Sequence, residues 1–218
     1  MIEKCGEDEL PNPHNAKHGI FHNYRPWEYD KVYKYANFKM DDIILDTGAM
    51  HTYFCIFLSQ FVKKIYVTDN FYWANRDYME KEKLFTPERW IEYIEEKGKG
   101  KIKGEKADII NLQYQDNTFD KVFCISTIEH VLDDSKGIKE LARVLKKGGR
   151  LLLTTEFNFY IGKKYSEKDN SYYRIYNFKT LKELIANSDL KLNGSVIIEK
   201  RNYLRLRKNV NVFMYLEK

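Results

Sequence analysis

The stretch Ile43-Ile44-Leu45-Asp46-Thr47-Gly48 decides how this chain folds. A short apolar run ending in an acid and a glycine reads as a buried strand followed by a tight turn. Gly48 permits the turn, and a helix opening near Met50 would aim its unpaired amides at whatever sits above the strand's end. A second run, Ile65-Tyr66-Val67-Thr68, also stops at an acid, Asp69, which lies 23 residues beyond Asp46. Two neighbouring parallel strands ending in this way grip a nucleotide-type cofactor, the second acid accepting the ribose hydroxyls. The plainer readings of the same residues are a tight turn with no ligand and a strand-terminal aspartate.

Outward from this pair, strands and helices alternate. Trp27, Val32, Tyr35 and Ala36 space a short helix ahead of the first strand, with Pro26 near its first turn. Phe54, Ile56, Phe57, Leu58 and Phe61 form a helical stripe after the turn. Thr86-Pro87-Glu88 is a helix start, a capping hydroxyl followed by proline and an acid, and Gly98 ends that helix. Lys97–Lys106, with three glycines, reads as an exposed loop, and Ala107–Leu112 as a short third strand. Phe119–Ser126 is a continuously apolar fourth strand. Ile138, Leu141, Ala142, Val144 and Leu145 mark a helix closed by Gly148-Gly149, and Arg150–Thr155 a fifth strand. A helix around Leu181–Leu190 and two late strands, Val196–Ile198 and Val210–Leu216, complete the pattern. Alternation of this kind implies a mostly parallel sheet covered by helices on both faces, with one of the late strands antiparallel.

Composition narrows the class. The 218 residues fit one domain with a full core, with residues 1–38 as an amino-terminal arm or lid and 39–218 as the core. A net charge of +5 permits an anionic substrate without demanding nucleic acid. Cys5, Cys55 and Cys124 are widely separated and lack metal spacing; Cys55 and Cys124 sit in apolar runs, which suggests reduced, buried thiols and a cytoplasmic setting. No segment reads as a signal peptide or a membrane span. His14, His18 and His22 recur every four residues, but Asn12, Pro13, Asn15 and Gly19 argue against the helix that would bring them together, so no metal is expected.

Asp108 would stand at the third strand's end, its carboxylate placed to accept from an adenine amino group while the Ile109 amide meets a ring nitrogen. The residues that follow carry a resemblance. Phe119-Asp120-x-Val122, Ile128-Glu129-His130-Val131, Asp134, Glu140-Leu141-x-Arg143-Val144-Leu145-Lys146-Lys147-Gly148-Gly149 and the later Arg174-x-Tyr176 and Leu181-x-x-Leu184 occur in an order that closely follows one pattern. With Ile43–Gly48 they resemble a class I S-adenosylmethionine-dependent methyltransferase of the broad small-molecule type, over about residues 40–190.

The resemblance implies a Rossmann-like, seven-stranded, mostly parallel sheet with an antiparallel final strand. It implies S-adenosylmethionine as cofactor, with Asp46, Gly48 and Ala49 at its amino-acid end, Asp69 and Asn70 at the ribose, and Asp108 and Ile109 at the adenine. Ser126 would face the methionine portion through its backbone, and Tyr24, Arg25 and Trp27 resemble lid residues. The family's second and third turn glycines are Met50 and Thr52 here, and Lys147 replaces a usual proline.

Methyl transfer needs an aligned acceptor, exclusion of water and, for a hydroxyl acceptor, a base. His130, just past the fourth strand, is the candidate base, although a histidine packed between strand and helix is the plainer reading. Contacts to the acceptor are expected from residues 10–30, 70–100 and 156–177. Phe157, Phe159, Tyr160, Tyr165, Tyr172 and Tyr173 either line its pocket or cap the sheet. The acceptor implied is a small molecule or sugar-type metabolite. The alternatives are an RNA or protein methyltransferase, suggested by the basic loops, and a non-catalytic binding protein, suggested by Met50 and Thr52.

Overall fold

Strand β1 (Ile43–Thr47) lies in the middle of the sheet, paired in parallel with β2 (Lys64–Asp69) on one side and β4 (Phe119–Ile125) on the other. The computed structural model describes residues 26–49, 54–72, 86–160, 162–166, 172–199 and 209–218. Beyond β2 lies the edge strand β3 (Ile102–Lys106), and beyond β4 lies β5 (Leu145–Phe157), both parallel to their neighbours. A hairpin of β6 (Lys163–Ser166) and β7 (Tyr172–Ile175) stands apart as a small second sheet. Strand β10 (Val210–Glu217) runs antiparallel along β5, and its far side pairs with the short strands β8 (Lys191–Leu192) and β9 (Ile197–Ile198). The order is therefore β3-β2-β1-β4-β5-β10-β8, with β9 also on β10.

Period-2 alternation divides the buried residues between two faces. On one face Ile44, Ile65, Val67, Phe123, Leu152 and Phe213 meet helices α1 (Pro26–Ala36), α2 (Phe54–Leu58) and α3 (Pro87–Gly98). On the other, Leu45, Val122, Cys124, Leu151, Leu153 and Met214 meet α4 (Asp134–Val144) and α5 (Phe178–Ala186). Strands covered on both faces need apolar residues at nearly every position, which is why β1, β4 and β5 were legible as continuous runs.

Thr86 caps α3 as its sequence implies, its hydroxyl accepting from the Arg89 amide at 3.3 Å with Pro87 in the first turn. Thr86→Ala is expected to lower stability by about 1 kcal/mol, read from urea unfolding, without altering ligand affinity.

Three sequence expectations are corrected. The stretch Lys97–Lys106 is not a loop: α3 ends at Gly98, Lys99 turns the chain in the left-handed region (φ 48°), and β3 begins at Ile102. Its apolar signal is hidden because one inward position is Gly104, where an added Cβ would lie 3.0 Å from Ile91 of α3. The lysines suit an edge strand, where charge discourages pairing with other chains.

Ala107–Leu112 is not a strand but a turn, closed by an Asp108–Asn111 bridge, with Ile109 and Leu112 buried beneath it. Finally, Gly148-Gly149 do not close α4, because Leu145 is already extended. The pair instead occupies the bulge between Phe119–Leu145 and Lys121–Arg150. Gly148 sits there at φ 74°, and an added Cβ on Gly149 would lie 2.9 Å from the Asp120 carbonyl.

Candidate active site

β1 leads to β2 on one side of the sheet while β4, its other neighbour, leads to β5 on the opposite side. The crevice above the carboxyl ends of β1 and β4 is therefore the topological switch point, where open α/β sheets take their ligands.

Gly48 forms the floor of that crevice. Its amide donates to the Thr68 carbonyl at 2.8 Å, and the Ala49 amide to the same oxygen at 3.2 Å. Its φ is +67°, and a Cβ there would fall 2.2 Å from Thr127 Cγ2. Thr127, just past β4, is held in place by a hydroxyl 3.0 Å from the Ile125 carbonyl and 3.3 Å from that of Thr47. Only glycine satisfies both the backbone angle and the contact.

Asp46 is 2% exposed at the end of β1. Burial pushes its carboxyl up to about 8, so an apolar surround holds it neutral at neutral pH until a cation arrives. The unfolded chain's Asp46 ionises near 3.8. Across the window from about pH 4 to about pH 8 the folded protein keeps a proton the unfolded chain has lost, so stability falls with rising pH, by about 1.4 kcal/mol per unit for this group, and levels off above it. Asp46→Asn is expected to remove that slope, checked by urea unfolding at several pH values. The Cys55 and Cys124 thiols are likewise pushed up by burial, with carboxylates nearby (Asp46 beside Cys55; Glu129 and then Asp46 beside Cys124) adding to the effect. Neither thiol is a reactive nucleophile. Cys5 lies outside the described residues.

Asp69 ends β2, buried, and one of its carboxylate oxygens accepts from the Phe71 amide at 2.7 Å. This turn folds the chain back so that the Phe71 ring packs edge-on against Trp90 of α3, 5.8 Å between centroids. The carboxylate's direction is thus set by core packing. Asn70 beside it is exposed, its side-chain oxygen accepting from Tyr72. Asp108 lies two residues past β3, exposed, and accepts from the Ile110 amide at 3.1 Å. Below it Ile109 is buried.

The Glu140 and Arg143 of the sequence pattern hold this region. Glu140 accepts from the Leu112 amide, while Arg143 donates to the Leu112 and Tyr114 carbonyls and to Asp116 and Glu140. These two residues are a clamp on the segment that carries Asp108, not ligand contacts.

Ser126 closes β4 with φ +44°, an angle unusual for a residue with a side chain. Its amide lies 3.1 Å from the Thr154 carbonyl and 3.0 Å from the Thr154 hydroxyl, and its own hydroxyl donates to Glu28 Oε1 at 2.5 Å. Thr154 also donates to Glu28 Oε1, at 2.8 Å. On the opposite face Thr155 donates to the buried Glu129 at 3.0 Å.

Sequence reasoning missed Glu28. The available signal was its spacing: Glu28, Val32 and Ala36 stand four apart on α1 and all are buried, so the acid lies on an apolar stripe. α1 is seated by further contacts, Tyr29 stacking on Phe54 at 4.7 Å and Arg150 donating to the Tyr35 carbonyl.

Of the other expected residues, Trp27 is half-buried on α1 with the Lys31 ammonium 5.7 Å from its ring. His130 is exposed on the short 3₁₀ turn after β4, 5.5 Å between ring centroids from Tyr173. It is not packed between strand and helix. Phe157, Phe159 and Phe178 pack on one another, and the fully buried Phe157 makes that group a cap over the sheet. Tyr24, Arg25, Met50, Thr52, the spaced histidines and the side chains of Tyr165 and Tyr172 lie outside the described residues. Among the described residues no helix is long and apolar enough to cross a membrane.

The sheet order, the switch-point crevice and the acids at or just past three successive strands are those of a Rossmann-like α/β sheet of the methyltransferase kind. Residues 81–153 match a methyltransferase domain family. Phosphoethanolamine N-methyltransferase 2 of Caenorhabditis elegans is 33% identical over 119 residues, 51% of this chain and 25% of that protein, so the chain matches about a quarter of that relative's length. Among solved structures, the YcgJ protein of Bacillus subtilis aligns with a TM-score of 0.65 at 16% identity, over 88% of this chain and 97% of that one. The 1,6-didemethyltoxoflavin-N1-methyltransferase of Burkholderia thailandensis, whose structure holds S-adenosylhomocysteine, aligns at 0.66 and 13% identity over 88% and 76%. The chain thus shares the Rossmann-like fold of these methyltransferase structures, and over residues 81–153 it is similar in sequence to the methyltransferase domain family.

Proposed function

We propose that this chain transfers a methyl group from S-adenosylmethionine to a small-molecule acceptor. The observation that carries the reading is the placement of Asp46 near the carboxyl end of β1, Asp69 at the end of β2 and Asp108 in the turn two residues past β3, beside a glycine that Thr127 packs against. The donor set suits the ligand. A buried acid with no cation beside it among the described residues fits an ammonium, a strand-end acid fits a ribose diol, and a third acid fits an exocyclic amine.

In this reading Asp46 and the Gly48–Ala49 turn hold the amino-acid end, Asp69 and Asn70 the ribose, and Asp108 with Ile109 the adenine. Ser126 borders the methionine portion, and since its amide is engaged by Thr154, its backbone contribution is the carbonyl. The bound group supplies an activated methyl carbon. The chain's own task is to align the acceptor and keep water out. α1, fastened over the ends of β4 and β5 by Glu28, is the lid, with Trp27 on it. The names of the related proteins, phosphoethanolamine and didemethyltoxoflavin enzymes, support a small acceptor.

Calorimetric titration with S-adenosylhomocysteine tests the cofactor assignment. Micromolar binding at one site per chain is expected, and no heat at millimolar ligand would remove the reading.

A further inference from the structure

Glu28 and Ser126 form a pair that the general features of the fold do not require. Ser126 flanks the switch-point crevice, directly preceding the Thr127 that packs on Gly48. Its hydroxyl proton is already committed to Glu28 Oε1 at 2.5 Å, so the oxygen faces any further partner as an acceptor. Glu28 in turn is 2% exposed, brought from α1 across 98 residues of sequence, and its Oε1 takes a second hydroxyl donor from Thr154. Thr154 also receives the Ser126 amide, so carboxylate, serine and threonine lock one another. An apolar helix stripe that gives up one position to a carboxylate loses burial energy there, a loss that a purely packing role would avoid by placing an aliphatic residue.

We propose that Ser126 accepts the proton of the methyl acceptor and that Glu28 acts through it, taking the serine proton in the same step. The proposal rests on the methyltransferase reading above and identifies the acceptor class as a group that bears a transferable proton, an amine or hydroxyl. As the acceptor's lone pair bonds to the methyl carbon, the carbon–sulfur bond breaks and its electron pair stays on sulfur. The acceptor's proton passes to Ser126 Oγ while the Ser126 proton passes to Glu28 Oε1. Charge and atoms balance with no further reactant. A buried carboxylate already held by the Ser126 and Thr154 hydroxyls needs little reorganisation to receive that proton.

The test does not require the acceptor to be known. Sinefungin carries an amine on the carbon that replaces the methylsulfonium, so its nitrogen projects where the transferred methyl would lie and can donate to Ser126 Oγ. The readout is the ratio of its affinity to that of S-adenosylhomocysteine, measured by calorimetry on the full chain. Effects on the shared adenosyl and amino-acid portions cancel in that ratio, and so does general loosening of the fold. The native chain is expected to favour sinefungin by about tenfold or more, and Glu28→Gln and Ser126→Ala each to bring the ratio to about one. If Glu28→Gln fails to fold, Ser126→Ala decides alone, since it leaves Glu28 in place with its Thr154 donor. A preference that persists in the folded variants, or its absence from the native chain, overturns the proposal. Failure of the native chain to bind either ligand overturns the methyltransferase reading instead.

Discussion

Asp69→Ala will weaken S-adenosylhomocysteine binding by about 100-fold, or about 2.7 kcal/mol, the loss predicted by the proposed contact of this buried carboxylate with two ribose hydroxyls. The same carboxylate holds the Phe71 amide at 2.7 Å, so the alanine variant also loosens the turn that packs Phe71 on Trp90. Asp69→Asn separates the two effects. Its side-chain oxygen can still accept from Phe71, whereas its amide nitrogen cannot accept a hydroxyl. The asparagine variant should therefore unfold within about 0.5 kcal/mol of the native chain yet bind at least about tenfold more weakly. Binding of Asp69→Asn within twofold of native would move the ribose contact elsewhere.

The second large effect is at Gly48. An alanine there places a Cβ 2.2 Å from Thr127 Cγ2 and 2.3 Å from its hydroxyl, at a φ of +67°. The backbone angle costs about 1–2 kcal/mol for a residue with a side chain, and the overlap about 1–3 kcal/mol more. Gly48→Ala should thus lose about 2–5 kcal/mol in urea unfolding and most of its cofactor affinity. Adding Thr127→Ala should recover only part of the stability, because the Thr127 Cβ itself would remain 2.8 Å away and the angle is untouched. Full recovery in the double variant would show that sterics alone dictate the glycine.

These two residues were legible in the sequence because their roles are local. An acid or a glycine closing an apolar run announces the strand end that carries it. β3 was not legible, since its inward positions are an isoleucine and a glycine whose missing side chain is itself the packing solution against Ile91 and Ile94. The turn after it was misread as a strand because Ile109 and Leu112 are apolar for the sake of the core below, not for a ladder. Gly148-Gly149 looked like a helix stop, and only the register shift between β4 and β5 explains them. Glu28 was missed for a different reason: its meaning lies in Ser126 and Thr154, 98 and 126 residues away, and no window of sequence contains that relation.

The position of β10 has a consequence for how the protein is made. Of the described strands it is the last to be synthesised, yet it is not an edge. It lies between β5 and the short β8 and β9, pairing with β5 over eight residues from Val210 to Glu217. Until it leaves the ribosome, β5 presents its open side to the cell with Leu151, Leu152 and Leu153 along it, the kind of bare, apolar ladder that recruits stray chains. The five parallel strands can assemble first, but the sheet stays unsealed until the final stretch arrives. Nascent chains stalled near residue 205 should therefore draw chaperones that the released protein does not.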